Sequence, residues 1–257
     1  MTVAEFGAAL SFEWTKIRTL RSTFWNLAMF LVISLALAVP TGYFLNETYA
    51  DLDAAERLTF DPVGSGLSSI RLGLLALVIF GVLAVSTEYT SGTIRSSLTA
   101  VPRRGLFFGS KLAAGGLVAL AASTVVVIAT FVATNVMLGE HAVGLTDDGV
   151  LRAIFGGIAY TTLLCLFSMG LAAVLRSSAL TIGILFPLFF MVSTILSNIP
   201  KVGQVAQFLP DVAGGHILYR EPQGDTVLNA WTGLAVLLAW TVAAVVAGHL
   251  AIKRRDA

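Results

Sequence analysis

The chain has 257 residues, of which 56% are hydrophobic and only 12% are charged. A soluble domain carries about twice that charged share, and one core could not bury so much apolar surface, so the composition indicates an integral membrane protein. The net charge of +1 gives no reason to expect a nucleic-acid partner. The single cysteine, Cys165, excludes an internal disulfide and argues against a metal site.

Six apolar runs are long enough to cross a membrane, since a spanning helix needs about 20 mostly apolar residues. They predict one all-α transmembrane domain over residues 1–257. The predicted spans are 24–45, 67–86, 112–138, 153–175, 179–199 and 231–252. Pro187 lies inside the fifth span, where we expect it to kink the helix.

The basic residues are divided unevenly between the two sides of the membrane that these spans define. Eleven of the 16 lysines and arginines fall on the side that holds both termini: Lys16, Arg18, Arg21, Arg95, Arg103, Arg104, Lys111, Arg176, Lys253, Arg254 and Arg255. Lysine and arginine are enriched in cytoplasmic loops. The sequence therefore predicts a multi-pass protein of the plasma membrane with both termini in the cytoplasm.

The segment before the first span predicts an amphipathic helix over residues 3–20. Phe6, Leu10, Trp14 and Ile17 share one face at helical spacing, with basic residues beside it. We expect this interfacial helix to lie on the inner leaflet in contact with membrane lipid. A simple charged topology anchor is the alternative interpretation.

The segment between the second and third spans predicts a short helix at the cytoplasmic surface. Thr or Ser at positions 90–91 can cap it, Ile94 and Leu98 repeat at helical spacing, and Pro102 ends it. The residues alone leave two interpretations open, because such a helix can rest on lipid or dock in a groove of a soluble partner. Between the fifth and sixth spans, residues 202–209 and 212–218 predict two short re-entrant outer helices.

Small residues recur at four-residue spacing on two spans and allow helices to approach closely. They are Gly115, Ala119 and Ser123 on the third span, and Ala235, Ala239, Ala243 and Ala247 on the sixth. Packing within one chain and a seam between two chains are both compatible with this pattern.

The sequence carries no pattern typical of catalysis or nucleotide binding. Residues 105–111 read Gly-x₃-Gly-Ser-Lys, which departs from the spacing of a phosphate loop, so we expect a chain that is not an enzyme. The predicted spans place no carboxylate or histidine at mid-membrane, where proton-coupled carriers usually have one. The energy for transport must then come from elsewhere, although a sodium-coupled carrier can use backbone carbonyls instead.

Several of these segments, in their order along the six-helix frame, resemble the permease subunit of an ABC-2 type ABC transporter. One is the opening stretch 12–22, Phe-Glu-Trp-Thr-Lys-Ile-Arg-Thr-Leu-Arg-Ser. Others are Glu88 with Ser-Gly-Thr-Ile-Arg at 91–95, and Phe-Leu-Pro-Asp at 208–211 with Gly-Gly at 214–215. The resemblance covers nearly the whole chain.

The resemblance implies that 92–101 is a coupling helix against a separate cytoplasmic ATPase dimer, which binds the ATP, so that this chain holds no cofactor. It also implies export through a path shared with a second permease protomer, identical or different. The residues that it implies for ATPase coupling are Glu13, Lys16, Glu88, Gly92, Thr93, Ile94, Arg95, Leu98, Pro102 and Arg103. It names no substrate, and an ion-gradient-driven secondary transporter without an ATPase is the alternative.

Overall fold

The computed structural model of the chain describes residues 3–94, 97, 99, 103–199, 202–220 and 226–254. Over these residues the regular structure is entirely helical. The α-helices are α1 (Val3–Thr19), α2 (Arg21–Tyr49), α3 (Ala54–Leu58), α4 (Pro62–Ser68), α5 (Ile70–Thr90), α6 (Arg104–Leu138), α7 (Val150–Leu175), α8 (Ser178–Pro187), α9 (Ser193–Ser197), α10 (Gly203–Ala206), α11 (Pro210–Gly215) and α12 (Ala230–Arg254).

Six helical units of the described chain are long and apolar enough to cross a membrane, which confirms the predicted all-α membrane fold. They are α2, α4 with α5, α6 with the 3₁₀ turn Gly139–His141, α7, α8 through α9, and α12. The units built on α5 and α7 are mostly buried, whereas α2, α8 and α12 expose most of their surface. The bundle is therefore organised around α5 and α7, as expected when lipid solvates the outer helices.

Two spanning units begin earlier than the apolar runs predict. The second begins at Pro62, where the Asp61 carboxylate accepts a hydrogen bond from the Gly64 backbone N–H at 2.9 Å. Aspartate at the N-cap followed by proline in the first turn is a favourable helix start. The third unit begins at Arg104, so Lys111 lies inside a helix rather than in the preceding loop.

The fifth unit is interrupted at Pro187, as the sequence predicts. α8 ends at this proline, the backbone continues as the π-helical segment Leu188–Val192, and α9 follows. Proline cannot donate to the carbonyl four residues earlier, and its ring displaces that carbonyl, so the wider π turn absorbs the mismatch.

The predicted N-terminal helix is present as α1, and one of its faces packs on the bundle. Trp14 is 40% exposed, whereas Ala9, Glu13 and Ile17 are buried against the bundle, where α1 packs on α6. The hydrophobic pattern missed Glu13 because a carboxylate is normally assigned to the solvent side. Its burial depends on a counter-charge from another helix.

The two short helices predicted between the fifth and sixth spans correspond to α10 and α11. α11 and the 3₁₀ turn His216–Leu218 pack against α7 and α12, and Ala213, Ile217 and Leu218 are fully buried. Val205 on α10 is exposed instead. The α11 segment therefore closes this end of the bundle by packing on protein.

The two stripes of small residues have different surroundings. Gly115, Ala119 and Ser123 are buried inside the chain, and a Cβ added to Gly115 would lie 2.9 Å from the Met169 sulfur. The four alanines of the α12 stripe are all exposed, because α12 buries a neighbouring face. On that face Gly248 approaches Gly170 of α7.

We expect Gly170→Ala to destabilise the bundle, because a Cβ there would lie 2.6 Å from the backbone carbonyl carbon of Ala244. Such overpacking costs about 1–3 kcal/mol, since two backbones must separate. Thermal unfolding in mild detergent measures the effect. Gly183→Ala is the matched control, since an added Cβ meets nothing within 4 Å there. An unchanged Tm for Gly170→Ala would contradict the close approach of the two helices.

Candidate functional site

Four charged side chains from three helices meet at the end of the bundle that holds α1. The Lys111 ammonium group lies 2.8 Å from Glu13 Oε2 and 2.9 Å from Glu88 Oε1. Lys16 pairs with Glu88 and lies 3.5 Å from Glu13 Oε1. The two carboxylates and two ammonium groups balance, and we call these four residues the charge cluster.

The charge cluster is enclosed by protein. The side chains of Glu13, Glu88 and Lys111 are each 2% exposed, and that of Lys16 is 26% exposed. Lys111 also donates to the Ala84 carbonyl oxygen at 3.3 Å, so its ammonium group has three acceptors. Removing charges from water costs several kcal/mol each unless counter-charges and hydrogen bonds replace the water. Here each charge has an opposite charge beside it.

Lys16 closes the outer side of the cluster. The pKa of Lys16 is lowered to about 8, chiefly by burial and next by the nearby Lys111 charge, while Glu13 acts in the opposite direction. Glu13 Oε1 and Glu88 Oε2 accept no hydrogen bond from the described residues. The Lys16 ammonium group is therefore held close to two carboxylates whose hydrogen-bonding capacity is not saturated.

The position of each charged residue on its helix explains how it reaches the cluster. Glu13 and Lys16 are three residues apart on α1, which places them on neighbouring positions of one face. Glu88 lies in the last turn of α5, and Lys111 lies in the third turn of α6. The cluster thus joins α1 to the two helices that flank the 91–103 segment.

The described part of that segment forms a tight turn after α5. Gly92 has a φ of +73°, in the left-handed region that glycine adopts without steric cost. The Ser91 and Thr93 hydroxyl groups lie 2.8 Å apart, and both residues are exposed together with Gly92. The next residue, Ile94, is buried, so it anchors the turn to this chain and does not present a surface.

The structure therefore divides the residues proposed for ATPase coupling into three groups. Glu13, Lys16 and Glu88 meet in the charge cluster. Gly92 and Thr93 form the exposed turn, which the buried Ile94 follows. Arg103 lies apart from both and pairs with Glu5 of α1 at 2.7 Å on the surface. Arg95, Leu98 and Pro102 lie outside the described residues.

The chain matches the model of a known family. The model of the family described as ABC-2 family transporter protein matches residues 9–257. The chain belongs to the ABC-2 transporter family. It is therefore a membrane permease component of an ABC system, a non-catalytic component whose family associates with ABC ATPase subunits. No curated protein sequence matches the chain significantly.

The matched region includes the whole charge cluster and every spanning helix of this ABC-2 permease. Among the described residues, no group of three or more histidine, cysteine or acidic side chains could hold a metal ion. What the arrangement can do is fix α1, α5 and α6 together mechanically.

Lys111 is the member of the cluster that our proposed set of coupling residues omits. The sequence places it at the edge of an apolar run, where a lysine reads as a topology signal. Lys111 could have been identified if α6 had been predicted to begin at Arg104, because residues 104–111 then add two helical turns before the apolar run. Helical spacing then puts Lys111 on the face of Ser110, Ala114 and Gly115, all buried in the permease.

We expect Lys111→Met to destabilise the permease by about 3–5 kcal/mol, because it leaves Glu13 and Glu88 with one counter-charge. The double variant Glu13→Gln/Lys111→Met restores balance and should recover part of that loss. Thermal unfolding of the purified permease in mild detergent measures both changes. The matched control is Lys253→Met, at an exposed lysine of α12. A double variant no more stable than Lys111→Met would contradict charge pairing as the source of stability.

Proposed function

We propose that this permease forms the substrate path of an ATP-driven exporter together with a second permease protomer. Two cytoplasmic ATPase subunits supply the energy. The proposal places the charge cluster at the cytoplasmic end of the bundle, in line with the excess of lysine and arginine on that side.

The observation that carries the proposal is the placement of the charge cluster directly behind the exposed turn at residues 91–93. A force applied to this turn reaches α5 at once, since the Ser91 backbone N–H still bonds to the Thr87 carbonyl oxygen. Glu88 then passes the displacement to α1 and α6 through its two lysine contacts. Three helices would move as one unit.

A mechanism follows from this geometry. ATP binding brings the two ATPase subunits together. Each subunit then pushes on the exposed turn at residues 91–93 of the permease protomer that it contacts. The charge cluster resists separation of α1, α5 and α6, because pulling any one charge away leaves the remaining charges of the cluster unbalanced. The three helices therefore tilt together, and the path opens on the opposite side. The surface ion pair between Arg103 and Glu5 adds a further link between α1 and the start of α6.

The proposed ATPase contact can be tested by cross-linking from the exposed turn. Cys165, the only cysteine of the chain, is fully buried, so the Thr93→Cys variant offers one accessible thiol. The tagged variant is purified from its native host in mild detergent and labelled with a thiol-directed photo-cross-linker. Mass spectrometry then identifies the products. We expect a cross-link to a protein that carries the nucleotide-binding motifs of an ABC ATPase.

The matched control is Thr59→Cys, which makes the same substitution at an exposed position near the opposite end of the bundle. It should give no ATPase cross-link. A stoichiometric ATPase that cross-links from Thr59→Cys and not from Thr93→Cys would place the contact at the other end. A pure homo-oligomer without an ATPase would contradict the proposal and favour the ion-gradient-driven transporter.

A further inference from the structure

A cavity of about 390 Å³ lies at the other end of the bundle from the charge cluster. It is bounded by the start of α5, by α7, by the π-helical segment with α9, and by the α11 segment. Its volume is within the range of pockets that hold small molecules. None of its residues belongs to the proposed coupling site.

The cavity has a cationic end formed by Arg71, which is exposed to it. Tyr160, Tyr219 and Asp211 line the cavity together with Arg71. Arg71 forms no ion pair with the described carboxylates, and Asp211 instead accepts a hydrogen bond from Ser193 Oγ at 2.7 Å. A guanidinium group has five donors that match the oxygens of a phosphate or carboxylate.

The other titratable groups of this end do not cancel the positive charge of Arg71 permanently. Burial raises the pKa of Asp211 to about 6, while the Ser193 hydrogen bond and the Arg71 charge oppose that rise. Burial, and then Arg71, lower the pKa of His216, whose Nε2 has no hydrogen-bond partner among the described residues. Acidification therefore removes the negative charge of Asp211. The remaining titratable groups facing the cavity are the hydroxyls of Tyr160 and Tyr219.

A shallow apolar surface groove between α5 and α8 adjoins this cavity. Its lining includes no polar side chain: Leu75, Val78, Ile79, Ile182, Leu185, Phe186, Phe189 and Phe190. Leu75, Phe189 and Phe190 line the cavity as well, so the groove lies directly beside it. From Arg71 to Ile79 the helix rises about 12 Å. Phe186 is 46% exposed, so the groove opens toward the surrounding lipid.

The π-helical segment joins the polar cavity to this groove. Ser193 Oγ donates to the Leu188 carbonyl oxygen at 2.8 Å, across the widened turn, and also binds Asp211. After the interruption at Pro187, Phe189 and Phe190 of the π-helical segment form the wall that the cavity and the groove share. The proline that predicts a kink therefore lies beside the cavity wall.

We propose that the cavity and groove bind an anionic amphiphile taken from the bilayer, with its phosphate at Arg71 and its alkyl chain between α5 and α8. The charge of Arg71 and the wholly apolar groove are complementary to the two ends of such a molecule. The binding site does not depend on an ATPase partner. Whether the bound amphiphile is the exported cargo rests on the proposed function.

The test uses the full chain in nanodiscs of phosphatidylcholine, with photoactivatable dodecyl phosphate as the probe. We expect saturable labelling at pH 7.5 and an affinity at least tenfold weaker for Arg71→Gln, with partial recovery in Arg71→Lys. Arg57→Gln is the matched control, since Arg57 is exposed in the same half of the bundle and lies outside the cavity. Equal affinity of Arg71→Gln and the unaltered chain would overturn the proposal.

Competition separates the possible ligands. Phosphatidylglycerol in the disc should displace the probe, while inorganic phosphate should not, because it lacks the chain that fills the groove. Full displacement by inorganic phosphate would overturn the lipid-like ligand in favour of a soluble anion. Neutral dodecanol should compete weakly, and competition equal to that of phosphatidylglycerol would equally overturn the role of Arg71.

Mapping the labelled position keeps the test decisive if Arg71→Gln fails to fold. With the photoreactive group at the chain terminus, the unaltered protein should be labelled on α5 and α8 near Ile79 and Ile182. Labelling spread over the exposed faces of α2 and α12 would overturn the proposal.

The pH dependence provides an independent readout. With dodecanesulfonate, whose charge is constant, affinity should rise as the pH falls from 7.5 to 5, because Asp211 loses its negative charge. Asp211→Asn should bind tightly at both pH values. A decrease in affinity on acidification would contradict the assigned cavity electrostatics.

Discussion

The pairing of four charges, three of them buried, is the interaction on which the rest of this permease depends. An ammonium group such as that of Lys111 is tolerated inside a helix bundle only when carboxylates replace its hydration shell. Those carboxylates come from α1 and α5, so an N-terminal helix that could have lain free on the membrane is fastened to the bundle. The cost of separating the charges makes the three helices one mechanical unit.

The two ends of the bundle are connected through one helix. α5 carries Glu88 in the charge cluster and Arg71 in the cavity, 17 residues apart and thus about 26 Å along the axis. This helix is also among the most buried, so its position is fixed by packing along most of its length. A displacement of α5 at the cluster must therefore alter the cavity that its first turn helps to form.

The sequence predicted the fold well and the site only in part. Long apolar runs identify spanning helices because lipid demands them, and all six predicted spans are present. The boundaries of the spanning helices were predicted less accurately, since a capped start such as that at Asp61 extends a helix beyond its apolar stretch. The inner face of α1 was missed at Glu13, because a hydrophobic pattern cannot anticipate a carboxylate that is buried by a lysine from a helix 98 residues later.

By itself, the sequence determined that the chain crosses the membrane six times and that Pro187 interrupts the fifth span. Each of these follows from local composition and backbone chemistry. Only the tertiary structure decided which charges meet, which small-residue stripe is buried, and that Arg71 faces a cavity without a direct counter-ion. These depend on how distant helices pack, because the free energy of a buried charge is set by neighbours that the local sequence does not contain.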